Sequence, residues 1–175
     1  MDFQTPIHVC NYMADYLPEN AGTILEPTKG LGNLVRAVES KGFVTTPEDF
    51  YKIEKARFDW IIMNPPFTPM VVGYKILYDC MEMSDNIIAL MPWLTMINSE
   101  KRTNKIMSFG LKSITHLPRN IFKGSRVQTC VLEMKKGWVS ETTFKNYSVQ
   151  QPLSGSADAT PKSCGGCKKC YLKPY

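Results

Sequence analysis

The chain has 175 residues, 43% hydrophobic and 21% charged, with a net charge of +5. At roughly 100–200 residues per domain this is one domain with a packed core, not a disordered, collagen-like or coiled-coil chain. No uncharged apolar run reaches the roughly 18 residues of a membrane span, and MDFQTPIHV carries no basic stretch ahead of an apolar one, so a soluble cytoplasmic protein without a signal peptide is expected.

In chain order, Ile7, Tyr12, Met13, Tyr16 and Leu17 fall near one helical face over 6–17, which Pro18 ends. A short strand at Thr23–Leu25 runs into the glycine-containing stretch EPTKGLGN. Leu34, Val35 and Val38 then mark a helix ending near Gly42, and Phe43–Thr45 reads as a brief strand. Asp59–Met63 is a buried strand that Asn64-Pro65-Pro66 stops, because proline cannot continue a central ladder. A helix over Val71–Met83, a buried strand at Ile87–Met91 and a helix over Ser99–Phe109 follow. Strands at Leu111–Leu117 and Arg126–Met134 flank the loop PRNIFKGS. This alternation predicts an α/β domain with a mostly parallel twisted sheet, helices on both faces and an antiparallel terminal pair of strands. The domain is expected over 1–149, with a basic, cysteine-containing tail over 150–175 whose Pro, Ser, Gly and Ala content reads as flexible.

Charge is unevenly placed. Residues 1–97 hold 7 Lys and Arg against 12 Asp and Glu, whereas residues 98–175 hold 14 against 4. Such a separation points to an anionic partner for the second half, nucleic acid first, although a solvated basic surface has the same composition. Cys10, Cys80 and Cys130 lie in apolar surroundings and read as reduced core residues.

Two segments carry chemistry. In EPTKGLG, after a buried strand and before a helix, Gly30 and Gly32 permit a tight turn and close approach to a ligand, and Glu26 can accept from an ammonium or hydroxyl group. The second is Asn64-Pro65-Pro66-Phe67. With proline at about 5% of residues, such an Asn-Pro-Pro-aromatic tetrapeptide arises by chance about twice in a thousand chains of this length. Two prolines stiffen the backbone, the Asn64 side chain and the Pro65 carbonyl can accept from a planar amino group, and Phe67 offers a stacking face.

With NPPF at 64–67 and EPTKGLGNL at 26–34, the chain resembles the S-adenosylmethionine-dependent DNA adenine-N6 methyltransferases whose cofactor motifs precede the catalytic one. Phe3, Thr5 and Pro6 resemble the segment by which that family holds the methionine end of its cofactor, and Asp49 in PEDF its acceptor for the cofactor's adenine amine. IIALMP at 87–92, LPRNIF at 117–122 and VQTCVLEMKK at 127–136 resemble its later strands. The resemblance covers about residues 3–136. It implies a Rossmann-like class I methyltransferase fold; the 31 residues between Gly32 and Asn64 are fewer than that family usually has there, so a compact domain with one intermediate strand–helix unit shortened is expected, and the length leads us to expect no separate target-recognition domain.

It also implies S-adenosylmethionine as cofactor, held by Phe3, Thr5, Glu26, Thr28, Gly30, Gly32, Asp49 and Asn64, with Asn64, Pro65, Pro66 and Phe67 as the catalytic group. An adenine would flip from the duplex to stack on Phe67 while Asn64 and the Pro65 carbonyl hold N6. Arg119, Lys123 and Arg126 are the expected phosphate contacts, and a protein partner or homodimer is a candidate source of target recognition. No metal is required for the chemistry. Cys164, Cys167 and Cys170 form a CxxCxxC run that suits zinc or an iron–sulfur group but lacks an evident fourth ligand, so a free or disulfide-prone tail is the first reading and a metal site the second. His8 and His116 read as structural. Two other functions remain: the same chemistry on RNA adenine or a protein glutamine, and a non-catalytic DNA-binding or regulatory protein, which Lys29 in the glycine loop and the short segment between the two motifs suggest.

Overall fold

The computed structural model describes residues 4–54, 56–122, 124 and 127–148. Among the described residues seven strands form one sheet: β1 (Gly22–Leu25), β2 (Gly42–Thr45), β3 (Trp60–Met63), β4 (Asn86–Pro92), β5 (Leu111–Leu117), β6 (Thr129–Lys135) and β7 (Thr143–Asn146). Their order is β2-β1-β3-β4-β6-β5-β7. Only β6 runs antiparallel to its neighbours, β4 and β5. The central strands are apolar on both faces, as strands sandwiched between helical layers must be. In β4, every residue from Ile87 to Pro92 is buried.

Helices α1 (Ile7–Ala14) and α2 (Asn33–Val38) cover one face, where Val9, Met13, Leu34 and Val38 pack with Ile24, Ile62, Ile88 and Val131. On the other face lie α3 (Met70–Met83) and α5 (Glu100–Phe109), bringing Ile76, Leu77, Cys80 and Ile106 against Ile61, Met63, Ile87 and Met91. A short α4 (Leu94–Ile97) precedes α5. The expected fold therefore holds, including its shortened unit: between β2 and β3 the chain makes one 3₁₀ turn, Phe50–Lys52, among the described residues, in place of a helix.

Three local expectations are corrected. Helix α1 stops at Ala14, and a turn carries the chain through to Leu17. The last long strand starts at Thr129, not Arg126. Strand β7 was not expected at all. Its sequence, TFKN, has no alternation to read, and it forms by pairing parallel to β5 at the sheet edge with three of its four residues exposed. The 150–175 tail, with Cys164, Cys167 and Cys170, lies outside the described residues, as does Val149 at the end of the expected domain.

Candidate active site

Chain order reverses at the middle of the sheet: β1 leads outward to β2, whereas β3 leads the other way to β4. At such a switch point the loops leaving two adjacent strands diverge onto opposite faces, which opens a crevice at the carboxyl edge. Both sequence motifs leave from there, EPTKGLG from β1 and NPPF from β3. Between them is a hollow of about 560 Å³, within the roughly 300–1,000 Å³ typical of small-molecule sites.

Its wall is a hydrogen-bonded set. Glu26 leaves the end of β1 and is 1% exposed. Its Oε1 accepts from the Thr28 amide at 3.0 Å, and the Thr28 hydroxyl lies 3.1 Å from both Glu26 Oε1 and the Asn64 carbonyl oxygen. That hydroxyl ties the β1 loop to the β3 loop. Glu26 Oε2 is buried with no hydrogen-bond partner among the described residues. Burial pushes the carboxyl up to about 7, against the opposing pull of the Thr28 amide, the Thr28 hydroxyl and the nearby Thr46 hydroxyl, which stops short of a hydrogen bond to Oε2. A buried oxygen left unpaired at a cavity wall is costly unless a ligand supplies a donor.

The segment before α1 closes the hollow from above. Asn64 Nδ2 donates to Thr5 Oγ1 at 2.7 Å, Asn33 Nδ2 donates to the Thr5 carbonyl at 2.8 Å, and the Leu31 amide donates to Gln4 Oε1 at 3.0 Å. With its amide nitrogen committed to Thr5, Asn64 keeps Oδ1 without a donor among the described residues, an acceptor held in one orientation. Gly30, at φ 51°, lies so close to Gln4 that a Cβ would meet its Oε1 at 3.1 Å. On the opposite side the diproline corner rests on α3: a Cβ at Gly73 would lie 2.6 Å from the Pro66 carbonyl oxygen. Pro65 is buried and Phe67 half-buried, with Phe122 and Thr129 completing the far wall.

Of the expected residues, Thr5, Glu26, Thr28, Gly30, Asn64, Pro65, Pro66 and Phe67 converge on this hollow. Gly32 does not line it; at φ 78° it caps α2 in the left-handed conformation that glycine tolerates. Asp49 is exposed and turned to its own loop, where it accepts from the Tyr51 amide at 3.0 Å and lies 3.7 Å from Lys52 Nζ. Arg119 is exposed on a 3₁₀ turn (Arg119–Ile121) just beyond the carboxyl end of β5. Phe3, Lys123 and Arg126 lie outside the described residues. Among the described residues no group of three His, Cys, Asp or Glu side chains could hold a metal, and no helix is long and apolar enough to cross a membrane. Sequence reasoning missed Gln4, Asn33 and Gly73. Gly73 alone had a signal, an unforced glycine inside a helix.

Sheet order, the single reversed strand and the loop-lined crevice are those of the Rossmann-like class I methyltransferase fold. The chain is similar to a protein described as a modification subunit of a type I restriction enzyme from Vibrio vulnificus YJ016: 17% identity, TM-score 0.67, 88% of this chain and 48% of that one. It is similar also to the methyltransferase subunit of a type I restriction-modification system from Streptococcus thermophilus: 16% identity, TM-score 0.64, 82% of this chain and 47% of that one. A 23S rRNA methyltransferase shares the fold at 14% identity and a TM-score of 0.56, over 77% of this chain and 70% of that one. The chain thus spans about half the length of the two restriction-modification subunits. No family sequence model and no curated protein matches it.

Proposed function

We propose that this chain transfers a methyl group from S-adenosylmethionine to the N6 amino group of adenine in DNA. The observation that carries the reading is the placement of Asn64, locked by Thr5 and Thr28, on the same hollow as the β1 glycine loop. The cofactor fits on three counts. The hollow has room for it, Glu26 Oε2 is an acceptor without a partner among the described residues and can take its ammonium, and Gly30 presents bare backbone to the hollow. Thr5, Glu26, Thr28 and Gly30 would hold it, and when bound it supplies an electrophilic methyl on a sulfonium sulfur.

The chain's own residues then position the nucleophile. Asn64 Oδ1 and the Pro65 carbonyl accept the two N6 hydrogens, which keeps electron density on nitrogen as the bond to carbon forms. Phe67, half-buried in the wall of the hollow, stacks on the base. After transfer the surplus amine proton passes to water, so no tuned general base is needed and positioning supplies the rate. Adenine in DNA is favoured over other amines by the aromatic residue at position 67, by the basic second half of the chain, and by the restriction-modification context of the two similar subunits.

One observation favours the non-catalytic alternative: Asp49, expected to hold the cofactor's adenine, serves its own turn instead. Incubating the full chain with labelled S-adenosylmethionine and adenine-containing duplex DNA, single-stranded RNA or a protein extract tests both readings. Label on N6 of DNA adenine supports the proposal, and label on RNA or protein moves the substrate. DNA binding with no transfer supports the alternative.

A further inference from the structure

Seven of the described cations have a carboxylate within 4.0 Å, and Lys29, Arg36, Lys101, Arg102, Lys105, Arg119 and Lys135 have none among the described residues. Lys41, Arg57 and Lys136, next to the amino edge of the sheet, each lie within 4.0 Å of a carboxylate, on Glu19, Asp85 and Asp85. Lys112 and Lys145 share Glu133. Lys101, Arg102 and Lys105, on α5, have no carboxylate partner among the described residues. Helix α5 starts at the carboxyl edge, immediately after β4 and α4, and descends beside α3, itself starting three residues after Phe67.

The two helices meet through aromatic rings. The Arg102 guanidinium carbon lies 3.7 Å from the centroid of Tyr74, and Lys105 Nζ lies 4.0 Å from that of Tyr78. Arg102 Nη1 also reaches the Leu94 carbonyl at 3.5 Å. A ring face orients a cation without cancelling its charge, unlike a carboxylate. Tyr74 is the fifth residue of α3, so at 1.5 Å rise per residue Arg102 sits about one turn from the level of the NPPF corner. Lys101 and Lys105 are exposed on either side of it.

The geometry points to α5 as a phosphate-binding face: Lys101, Arg102 and Lys105 grip the nucleic-acid backbone on the α3 side of the crevice mouth, opposite the glycine loop. This deepens the functional reading above and rests on it for the identity of the polymer, but the phosphate contacts follow from charge and placement alone. Three cations within five residues, with no carboxylate within 4.0 Å among the described residues and only Glu100 as an acidic neighbour on the same helix, match the spacing-tolerant recognition of a backbone. They carry no base specificity.

The test is a titration of the full chain with a fluorescent 20-base-pair DNA duplex, and separately with a single-stranded RNA, across a range of potassium chloride. The triple variant Lys101→Gln/Arg102→Gln/Lys105→Gln is compared with Lys135→Gln, which removes an exposed cation at the far edge of the sheet that has no carboxylate partner among the described residues. Melting temperature and S-adenosylhomocysteine affinity verify folding, and Arg102→Lys, keeping the charge, is expected to stay within a few-fold of wild type. We expect the triple variant to bind at least tenfold more weakly and the slope of log K on log salt to fall by about 2 to 3, near 0.9 for each duplex phosphate that is no longer neutralised. Lys135→Gln should change neither. Unchanged affinity and slope in the folded triple variant, an equal loss in Lys135→Gln, or a wild type that binds neither polymer overturns the inference. Methyl transfer is scored separately: a wild type that binds DNA through α5 without methylating adenine keeps this face and removes the proposed reaction.

Discussion

Asn64 illustrates how little a residue name says until its partners are known. Its amide nitrogen is used by Thr5, so the side chain presents a single acceptor to the hollow. Asn64→Ala should lower methyl transfer at least about 100-fold, on the scale of removing one preorganised transition-state hydrogen bond. S-adenosylhomocysteine affinity should stay within a few-fold, read by calorimetry; equal loss of both would remove the role given to Asn64. Thr5→Val keeps the shape but deletes the acceptor that orients Asn64. It should lower kcat by about tenfold with little change in KM for DNA, because a loosened positioning group acts on the reacting geometry.

Glu26 makes a prediction with a definite sign. Its carboxyl has an ordinary value near 4.5 and rises to about 7 in the fold. The native state therefore holds a proton that the unfolded chain releases. The associated stability is complete below pH 4.5 and is lost as pH rises through 7, about 3 kcal/mol at most. Chemical denaturation of wild type should show that fall between pH 5 and 8, and Glu26→Gln should flatten it. Ligand affinity runs the other way. An ammonium needs the carboxylate, so S-adenosylhomocysteine should bind about tenfold tighter at pH 8 than at pH 6. A flat affinity profile would mean that Glu26 does not meet the ligand's charge.

At the scale of elements, the packing of α3 against the NPPF corner decides the site's shape. Alanine is the better helix former by up to about 1 kcal/mol, yet the obstruction at Gly73 is the Pro66 carbonyl oxygen at 2.6 Å, backbone that cannot rotate aside. The clash wins. Gly73→Ala should destabilise the fold by about 1–3 kcal/mol in thermal melting, as overpacked cores do, and shift the corner enough to depress transfer further than the stability loss explains. The motifs themselves were legible because strand-stopping prolines and loop glycines act locally. Strand β7 was not, since TFKN earns its conformation only by lying beside β5. Asp49 likewise was read from a segment resembling a motif, and the shortened path from β2 to β3 leaves it on its own turn.

For the molecule as a whole, two apolar clusters on either face of the sheet enclose the three described cysteines, each 0% exposed. Burial pushes the Cys10 thiol up to about 11, the Cys130 thiol to about 12 and the Cys80 thiol upward as well. Because the thiolate is the reactive form, iodoacetamide at pH 8 should leave these three unmodified in the folded protein and alkylate all three in denaturant, as peptide masses would show. Rapid modification in the native state would contradict the packing of both clusters.

The amino-acid order alone determined the alternation of apolar strands and helices, and with it the layered α/β fold, because each element must bury its own face. It also set the rigid NPPF corner and the glycine turn, whose conformations depend on the residues within them. The tertiary structure alone decided that these loops share a crevice, that Thr5 aims Asn64, and, among the described residues, that Glu26 is left with an unpaired oxygen and which cations stay free of carboxylates. Those properties depend on groups tens of residues apart, brought together by the reversal of strand order between β1 and β3, and local sequence carries no record of that distance.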